Sequence, residues 1–387
     1  MLLSTRTLLL VITMMCWVFS SRLTAQSFYS PSSEQVLYSP LEGTSTDTAP
    51  VLNPAAMVFT GNRATGYMLR TARASTYESA NDQRTKTKTT LAEEGYGASA
   101  LFDLGAGMSA GASYSRLYSK ADISQPDFRL IPYEIQATQT ISGRLVIEVA
   151  VGLKVGILLR WINQDANIMG NINSSPTEDR IQYKAHLIGH GAGFNYQNDR
   201  FRLGGVYIPA ARGKAEIIYE QRIITEPGVA LFDAGYKVDN WAVGLATERT
   251  VHRRDERAVT VLSEDGNRNV TLDGASPDRN ALSVSAYHAS VEYKLAPIWV
   301  VRAGVTLREK EMVFDGTRVP GDIKNADRYN QNELKACLAY TGRFEVMAGF
   351  QTSSFSKTLT AQSGAIQNGA IYSGNNKVTF LSIGSKF

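Results

Sequence analysis

Apolar residues recur at every second position along much of this chain. In residues 149–161, Val149, Val151, Leu153, Val155, Ile157, Leu159 and Trp161 fall on one side of an extended backbone. Gly152, Lys154, Gly156 and Arg160 fall on the other, with Leu158 the exception. In residues 131–141, Tyr133, Ile135, Ala137 and Ile141 oppose Glu134, Gln136, Thr138 and Thr140, and Gln139 interrupts the apolar side. Side chains of a strand alternate between two faces, so this period predicts strands with one greasy and one polar surface. Applied end to end, the pattern predicts fourteen strands: residues 63–71, 96–104, 108–118, 131–141, 149–161, 180–196, a segment from 200 that is interrupted at Pro209 and Gly213 before resuming at 215–219, then 228–237, 241–251, 282–295, 298–308, 333–340, 344–355 and 377–387.

The connections sort by parity. Turns after even-numbered strands, at Gly105, Gly143, Asn198, Asp239, Pro297 and Gly342, are short, whereas those after odd-numbered strands are long and polar. Short turns at one end, long loops at the other and an even strand count describe a barrel that spans an outer membrane. A strand of about ten to twelve residues at ~3.3 Å rise, tilted ~40°, projects to about 25–30 Å, the height of a lipid-facing band. Aromatic residues near strand ends, among them Phe102, Trp161, Phe201, Tyr236, Trp241, Tyr293, Trp299, Tyr340 and Phe344, fit interfacial girdles. The fold class expected is therefore all-β: a 14-stranded antiparallel transmembrane β-barrel over residues 63–387, with residues 26–62 as a short N-terminal hatch in its lumen.

The register also assigns the charges. An Arg or Lys on the lipid face near the midplane costs ~2–4 kcal/mol, so charges within the strands are expected to point inward. Glu134, Lys154, Arg160, Lys184, His186, Arg202, Glu248, Glu292, Arg302, Arg308 and Glu345 are the expected lumen-lining polar residues, either anchoring the hatch by ion pairs or lining a polar pathway. His186 and His190 share a strand face ~13 Å apart, too far to hold one metal ion. The expectation is polar lumen residues, no metal site and no cofactor.

Composition narrows the class further. Residues 1–25 carry Arg6, an apolar run over 8–19 and Leu23-Thr24-Ala25, the layout of a cleaved secretory signal. Beyond Cys16 in that leader the chain has one cysteine, Cys337, so no internal disulfide is available. After the leader no run reaches the ~20 apolar residues of a membrane helix; residues 146–162 come nearest and contain Glu148, Lys154 and Arg160. With 40 basic and 36 acidic residues the balance does not favour nucleic acid as a partner. "GMSAG" (residues 107–111) matches the Gly-x-Ser-x-Gly of esterases but opens a strand, not the strand-to-helix turn that chemistry needs, so no catalysis is expected from it.

Two stretches carry a family resemblance. "NPAAM", Asn53, Pro54, Ala55, Ala56 and Met57, places a capping Asn before a Pro at the first helical position. It resembles the hatch motif of FadL-type outer-membrane transporters, importers of long-chain fatty acids and other hydrophobic compounds. "GFNYQNDRFRLGGVY" (residues 193–207) is similar to a hairpin of the same family. The resemblance implies a fourteen-strand barrel plugged by its N-terminus, passive uptake of a small hydrophobic or amphipathic ligand of fatty-acid or aromatic type, and exit through a kinked strand. The expected kink sites are Pro209 or the glycine-rich residues 189–193. The segments corresponding to the family's greasy capture groove, residues 163–179 and 209–227, are short or charged here. The last residues, with Leu381 and Ile383 alternating toward Phe387, resemble the signal read by the barrel-assembly machinery. The partners expected are that machinery, outer-membrane lipid and lipopolysaccharide. A non-transporting scaffold barrel and a general porin are the alternative readings.

Overall fold

The computed structural model describes residues 53–56, 62–78, 86–124, 133–170, 179–209, 211–217, 220–226, 228–251, 260–262, 269–271, 281–313, 326–341, 344–358 and 371–386. The expected leader, hatch residues 26–52 and 57–61 (Met57 included) and Phe387 lie outside these residues, as does the side chain of Glu134.

A single turn of 3₁₀ helix, Pro54–Ala56, precedes the strands. In chain order these are β1 (Arg63–Glu78), β2 (Lys86–Gly105), β3 (Met108–Ser124), β4 (Tyr133–Ala150), β5 (Leu153–Gly170) and β6 (Asp179–Gln197). They continue as β7 (Phe201–Ile208), β8 (Ala211–Ile217), β9 (Glu220–Glu226), β10 (Gly228–Val238), β11 (Trp241–Val251), β12 (Thr260–Leu262) and β13 (Asn269–Thr271). The last five are β14 (Ala281–Ala296), β15 (Trp299–Val313), β16 (Ala326–Thr341), β17 (Phe344–Thr358) and β18 (Ile371–Lys386). β12 and β13 form a separate ribbon; all others join one sheet. β7 with β8, and β9 with β10, each form one wall strand in two pieces, giving fourteen wall strands. The sheet closes where β18 pairs with β1 from Lys386↔Arg63 to Ile371↔Glu78.

Closure leaves every wall strand paired on both sides along the band, with β9 at the long-loop end pairing only β8 among the described residues, and the side-chain pattern is inverted relative to a protein folded in water. Outward positions are apolar and exposed, as in Val155, Ile157, Leu159 and Trp161 on β5 or Val305 and Leu307 on β15. Their inward neighbours Thr306 and Arg308, and Glu333 and Lys335 on β16, are buried. This is the arrangement that lipid outside and a polar lumen inside demand. At the short-turn end, Trp241 stacks on Tyr293 with ring centroids 4.3 Å apart, and Trp299 meets Tyr340 edge-on at 5.2 Å.

Three expectations are corrected. Gly143 is no turn: it is extended within β4 opposite Ala112 and Leu159, and the reversal comes at Val151–Gly152, where Gly152 takes φ 75°. A positive φ is what a two-residue hairpin needs, and extended Gly143 supplies none. Second, strands such as β2, with 20 residues, outrun the lipid band, because pairing continues above it into the long-loop end. Third, residues 209–227 do not form one long loop but contribute the β8–β9 hairpin, paired from Ala211↔Glu226 to Ile217↔Glu220. The bend expected at Pro209 is present. β6 pairs with β7 as far as Ala192↔Tyr207 and with β8 from Ile188↔Arg212, so three residues of β6 face four of the bent strand, a β-bulge beside Pro209.

Placing charge on the outer face tests the lipid assignment. Val305 lies six residues above the start of β15 at Trp299, ~15 Å up the wall and within the apolar band. Val305→Arg is expected to cost ~2–4 kcal/mol in denaturant unfolding from lipid vesicles, with Val305→Leu close to wild type.

Candidate functional site: the lumen and the seat of the Asn53 turn

The inward positions divide by side of the barrel. On β14–β17 and the adjoining β11 they are charged and interlocked. Arg308 donates Nε–H to Glu333 Oε1 at 3.0 Å and lies 3.9 Å from Glu248; Lys335 reaches Glu333 at 3.4 Å, and Gln351 donates to it at 3.2 Å. His288 bridges Thr306 at 2.9 Å and Glu248 at 3.3 Å. Arg302 donates to Glu292 at 2.7 Å, and Arg63 pairs with Glu345 nearer the short-turn end. Cross-strand neighbours carry these groups: His288 faces Thr306, Glu292 faces Arg302, and Thr306 faces Glu333 in the ladders. Each cation named here has a carboxylate within 4 Å, so this wall holds charge without a large net field.

On β4–β7 and β10 the inward face carries a buried apolar patch: Val146, Leu158, Ile162, Leu187, Val206, Ile208 and Leu231. Leu158, Val206, Ile208 and Leu231 pack as one cluster. Below it, Arg202 makes a two-pronged ion pair with Asp233 at 2.7 and 2.8 Å and donates Nε–H to Asn195 at 3.0 Å.

The Asn53 turn sits beside this patch. Asn53 and Ala55 are fully buried. Asn53 Oδ1 accepts from the Ala55 N–H at 3.0 Å, capping the turn, while its Nδ2 donates to the Phe194 carbonyl at 3.0 Å, tying the turn to β6. The seat is a glycine pair: Gly156 of β5 and Gly193 of β6 are cross-strand partners, both inward. A Cβ on Gly193 would lie 2.2 Å from Asn53 Oδ1, and one on Gly156 2.9 Å from the backbone of Pro54 and Ala55.

This geometry was compared with known proteins. No protein-family model matches the chain, and no curated protein matches it in sequence. Solved structures do match. A Pseudomonas aeruginosa FadL homologue superposes at TM-score 0.65 with 14% identity, covering 95% of this chain and 99% of its own. The chain has the FadL-type barrel fold. The Pseudomonas putida toluene transporter TodX matches at TM-score 0.61 and 12% identity over 94% of this chain and 96% of its own. The Ralstonia pickettii toluene transporter TbuX matches at 0.58 and 14% over 94% and 99%. At these identities the likeness concerns the fold.

Within the FadL-type fold, the residues singled out from sequence divide. Arg202, Glu248, Glu292, Arg302 and Arg308 are inward and buried; Lys154, Arg160 and Glu345 are inward and half-buried. Lys184 and His186 are not in the lumen. They are exposed on the outer register of β6, where Ala185 and Leu187 point inward, and His186 contacts Asn163 of β5 at 2.7 Å. His190 is likewise outward. Lys184 and His186 stand eleven or more residues above the short-turn end of β6 at Gln197, ~28 Å or higher, where an outward polar group meets headgroups or water and not hydrocarbon. Leu381 and Ile383 are outward and exposed. Sequence reasoning missed the partners Asp233, Asn195, His288, Glu333 and Lys335, and the glycine pair. Each lies on the inward register of its strand, but mostly diagonal to its partner in the ladder: Asp233 faces Gly204 and not Arg202, and Glu333 faces Thr306 and not Arg308, so only the pairing brings them together.

Two measurements test the site. Gly193→Val is expected to displace the Asn53 turn, because Asn53 is held by backbone on one side and a side chain cannot overlap its oxygen. The readout is increased ion conductance in planar bilayers, with Gly143→Ala, which meets nothing within 4 Å, as the silent control. Arg202→Met is expected to cost ~3–5 kcal/mol by stranding Asp233, and the paired Arg202→Met, Asp233→Leu variant to recover most of that in denaturant unfolding.

Proposed function

We propose that this protein is an outer-membrane channel that passes small hydrophobic or amphipathic compounds, of fatty-acid or aromatic type, by passive binding and diffusion and with no chemical step. The observation that carries the reading is the inward apolar patch centred on Leu158, Val206, Ile208 and Leu231. The outer face of these strands already meets the needs of lipid, so wall stability does not require greasy residues on the inner face as well. In an aqueous lumen such a patch lowers the free energy of an apolar solute. These four side chains are 1–6% exposed as they stand, so a solute reaches them by displacing what covers them; ~100 Å² of apolar surface opened in that way and buried against the solute contributes ~2.5 kcal/mol, enough to concentrate it and too little to trap it.

The ion-paired wall opposite gives an amphiphile a polar counterpart, while its internal neutralisation does not single out anions. The buried Asn53 turn beside the patch supports the view that residues 26–62 act as a plug rather than leave an open pore. Proteins of the same fold include a toluene transporter from P. putida and a monoaromatic hydrocarbon channel, CymD. Export through the expected leader, cleavage after residue 25 and insertion by the assembly machinery belong to the same proposal.

The test replaces the patch and leaves the charged wall alone. In a deletion strain, Ile208→Glu is expected to reduce uptake of labelled toluene and oleate at least fivefold against wild type, with Ile208→Val near wild type. Heat-dependent mobility on gels confirms that the barrel folds. Uptake unaltered by Ile208→Glu and by outright deletion overturns the channel reading; a stable protein partner recovered in that case favours the scaffold alternative.

A further inference from the structure

The outer wall carries a second chemical feature, unrelated to the lumen. On the four adjacent strands β18, β1, β2 and β3, three consecutive outward rows can be read from the ladders: Leu381–Met68–Tyr96–Arg116, then Thr379–Arg70–Glu94–Tyr118, then Lys377–Ala72–Ala92–Lys120. These rows hold four basic residues, Arg70, Arg116, Lys120 and Lys377, and one acid, Glu94, which Arg70 meets at 3.5 Å. Arg70 is 75% exposed, and Arg116 stands opposite Tyr96 in the ladder. In the rows below, Ile383–Gly66–Ala98–Tyr114 and Ser385–Ala64–Ala100–Ala112 carry no charge.

Height places the group. Arg70, Arg116, Lys377 and Lys120 stand seven to twelve residues from the short-turn ends of their strands at Arg63, Met108 and Lys386, or ~18–30 Å up the wall. The lipid-facing band is ~25 Å tall, so Lys377 and Lys120 lie at or above its long-loop edge, and Arg70 and Arg116 lie ~5–7 Å inside it, a distance that long side chains span by extending to the interface. The wall from β14 to β17 has Tyr287, Leu307, Asn332 and Ser354 in the outward register at that height, and on β15 the charged positions in that register are the acids Glu309 and Glu311. Outward bases occur elsewhere on the wall, at Arg249 on β11 and Lys184 on β6, but four of them on adjacent strands at the top of an apolar surface make a complement for lipid headgroups bearing phosphate, with acyl chains lying on the wall below.

We propose that the outer surface of β18, β1, β2 and β3 binds the phosphorylated glycolipid of the outer leaflet. Arg70, Arg116, Lys120 and Lys377 hold its phosphates, and the apolar rows beneath hold its acyl chains. Neighbouring cations in the rows lie about 8–12 Å apart at Cα by strand spacing, within side-chain reach of a common headgroup. The inference rests on the outer-membrane reading above and is separable from the channel role.

The test is native mass spectrometry of the detergent-purified full chain with bisphosphorylated lipid A and with the same lipid after dephosphorylation. Wild type is expected to bind the phosphorylated form at least tenfold more tightly, and the preference to shrink as salt is raised. The variant carrying Arg70→Gln, Arg116→Gln, Lys120→Gln and Lys377→Gln is expected to lose the preference. A control with Arg200→Gln, Lys237→Gln and Lys294→Gln at the short-turn end is expected to keep it. Equal binding of both lipids by wild type overturns the proposal even if the variant fails to fold, and so does a preference that survives the fourfold variant. If the full chain fails to partition into membranes at all, the outer-membrane reading itself fails, which is a different outcome from a missing phosphate preference.

Discussion

Hydrocarbon offers a peptide group nothing to bond to, and that single fact organises the molecule. Each N–H and C=O within the lipid band must find a partner in the wall, so the sheet has to close, and it does so at β18 and β1. Closure in turn fixes which register faces lipid. Once outward positions are taken by Val, Leu, Ile and aromatic residues, the inward ones are left for polar groups, and these are shut away from bulk water by the wall itself. Arg308, Glu333, Lys335, Glu248 and His288 therefore bond one another, because a buried charge left alone would be far costlier than a paired one. The ion-paired wall is a consequence of the membrane, not evidence of chemistry.

That reasoning isolates what closure does not explain. Two inward features have no role in satisfying lipid: the apolar patch around Ile208 and the Gly156–Gly193 pair. Glycine inside a strand weakens it, and here both glycines lie where the Pro54–Ala55 backbone comes within 3 Å or the Asn53 oxygen within 2.2 Å of a would-be Cβ. The capping Asn53 bonds both its own turn and the wall, so one side chain shapes the turn and seats it.

Much of this was legible in the sequence because a strand's period is local. The alternation in residues 149–161 and the parity of short turns led to fourteen strands, which the closed wall contains. "NPAA" was readable as a capped turn because capping is local too. Partners across the ladder were not. Nothing near Arg202 in the chain indicates Asp233, 31 residues away, and polarity alone reads Lys184 and His186 as inward where the register of β6 turns them outward. That rule is strict near the midplane and relaxes toward the long-loop edge, where His190 and Arg70 stand outward in the upper part of the band and Lys184 and His186 above it, and the sequence does not mark where the band ends. Gly143 reads as a turn for a related reason: glycine marks both turns and open places in a strand, and φ distinguishes Gly143 from Gly152.

The bend at Pro209 shows how an irregularity can build a surface. In an unbroken strand Ile208 and Ala211 would face opposite sides, since their separation is odd. The extra residue of the bulge reverses the parity between them, so both are buried on the inward face, and the apolar surface runs across the break from β7 into β8. Proline suits the position because residue 209 stands outside the ladder pairs, so its missing N–H removes no ladder bond. Opposite, Gly191 and Gly189 make the room: a Cβ on Gly191 would lie 2.8 Å from Ile208 Cγ1, and one on Gly189 3.3 Å from the Ala211 Cβ. The glycine-rich run therefore does not kink its own strand. It accepts the side chains that the bend in the neighbouring strand turns inward, and proline, bulge and glycines together make the apolar patch continuous where a regular barrel would have divided it.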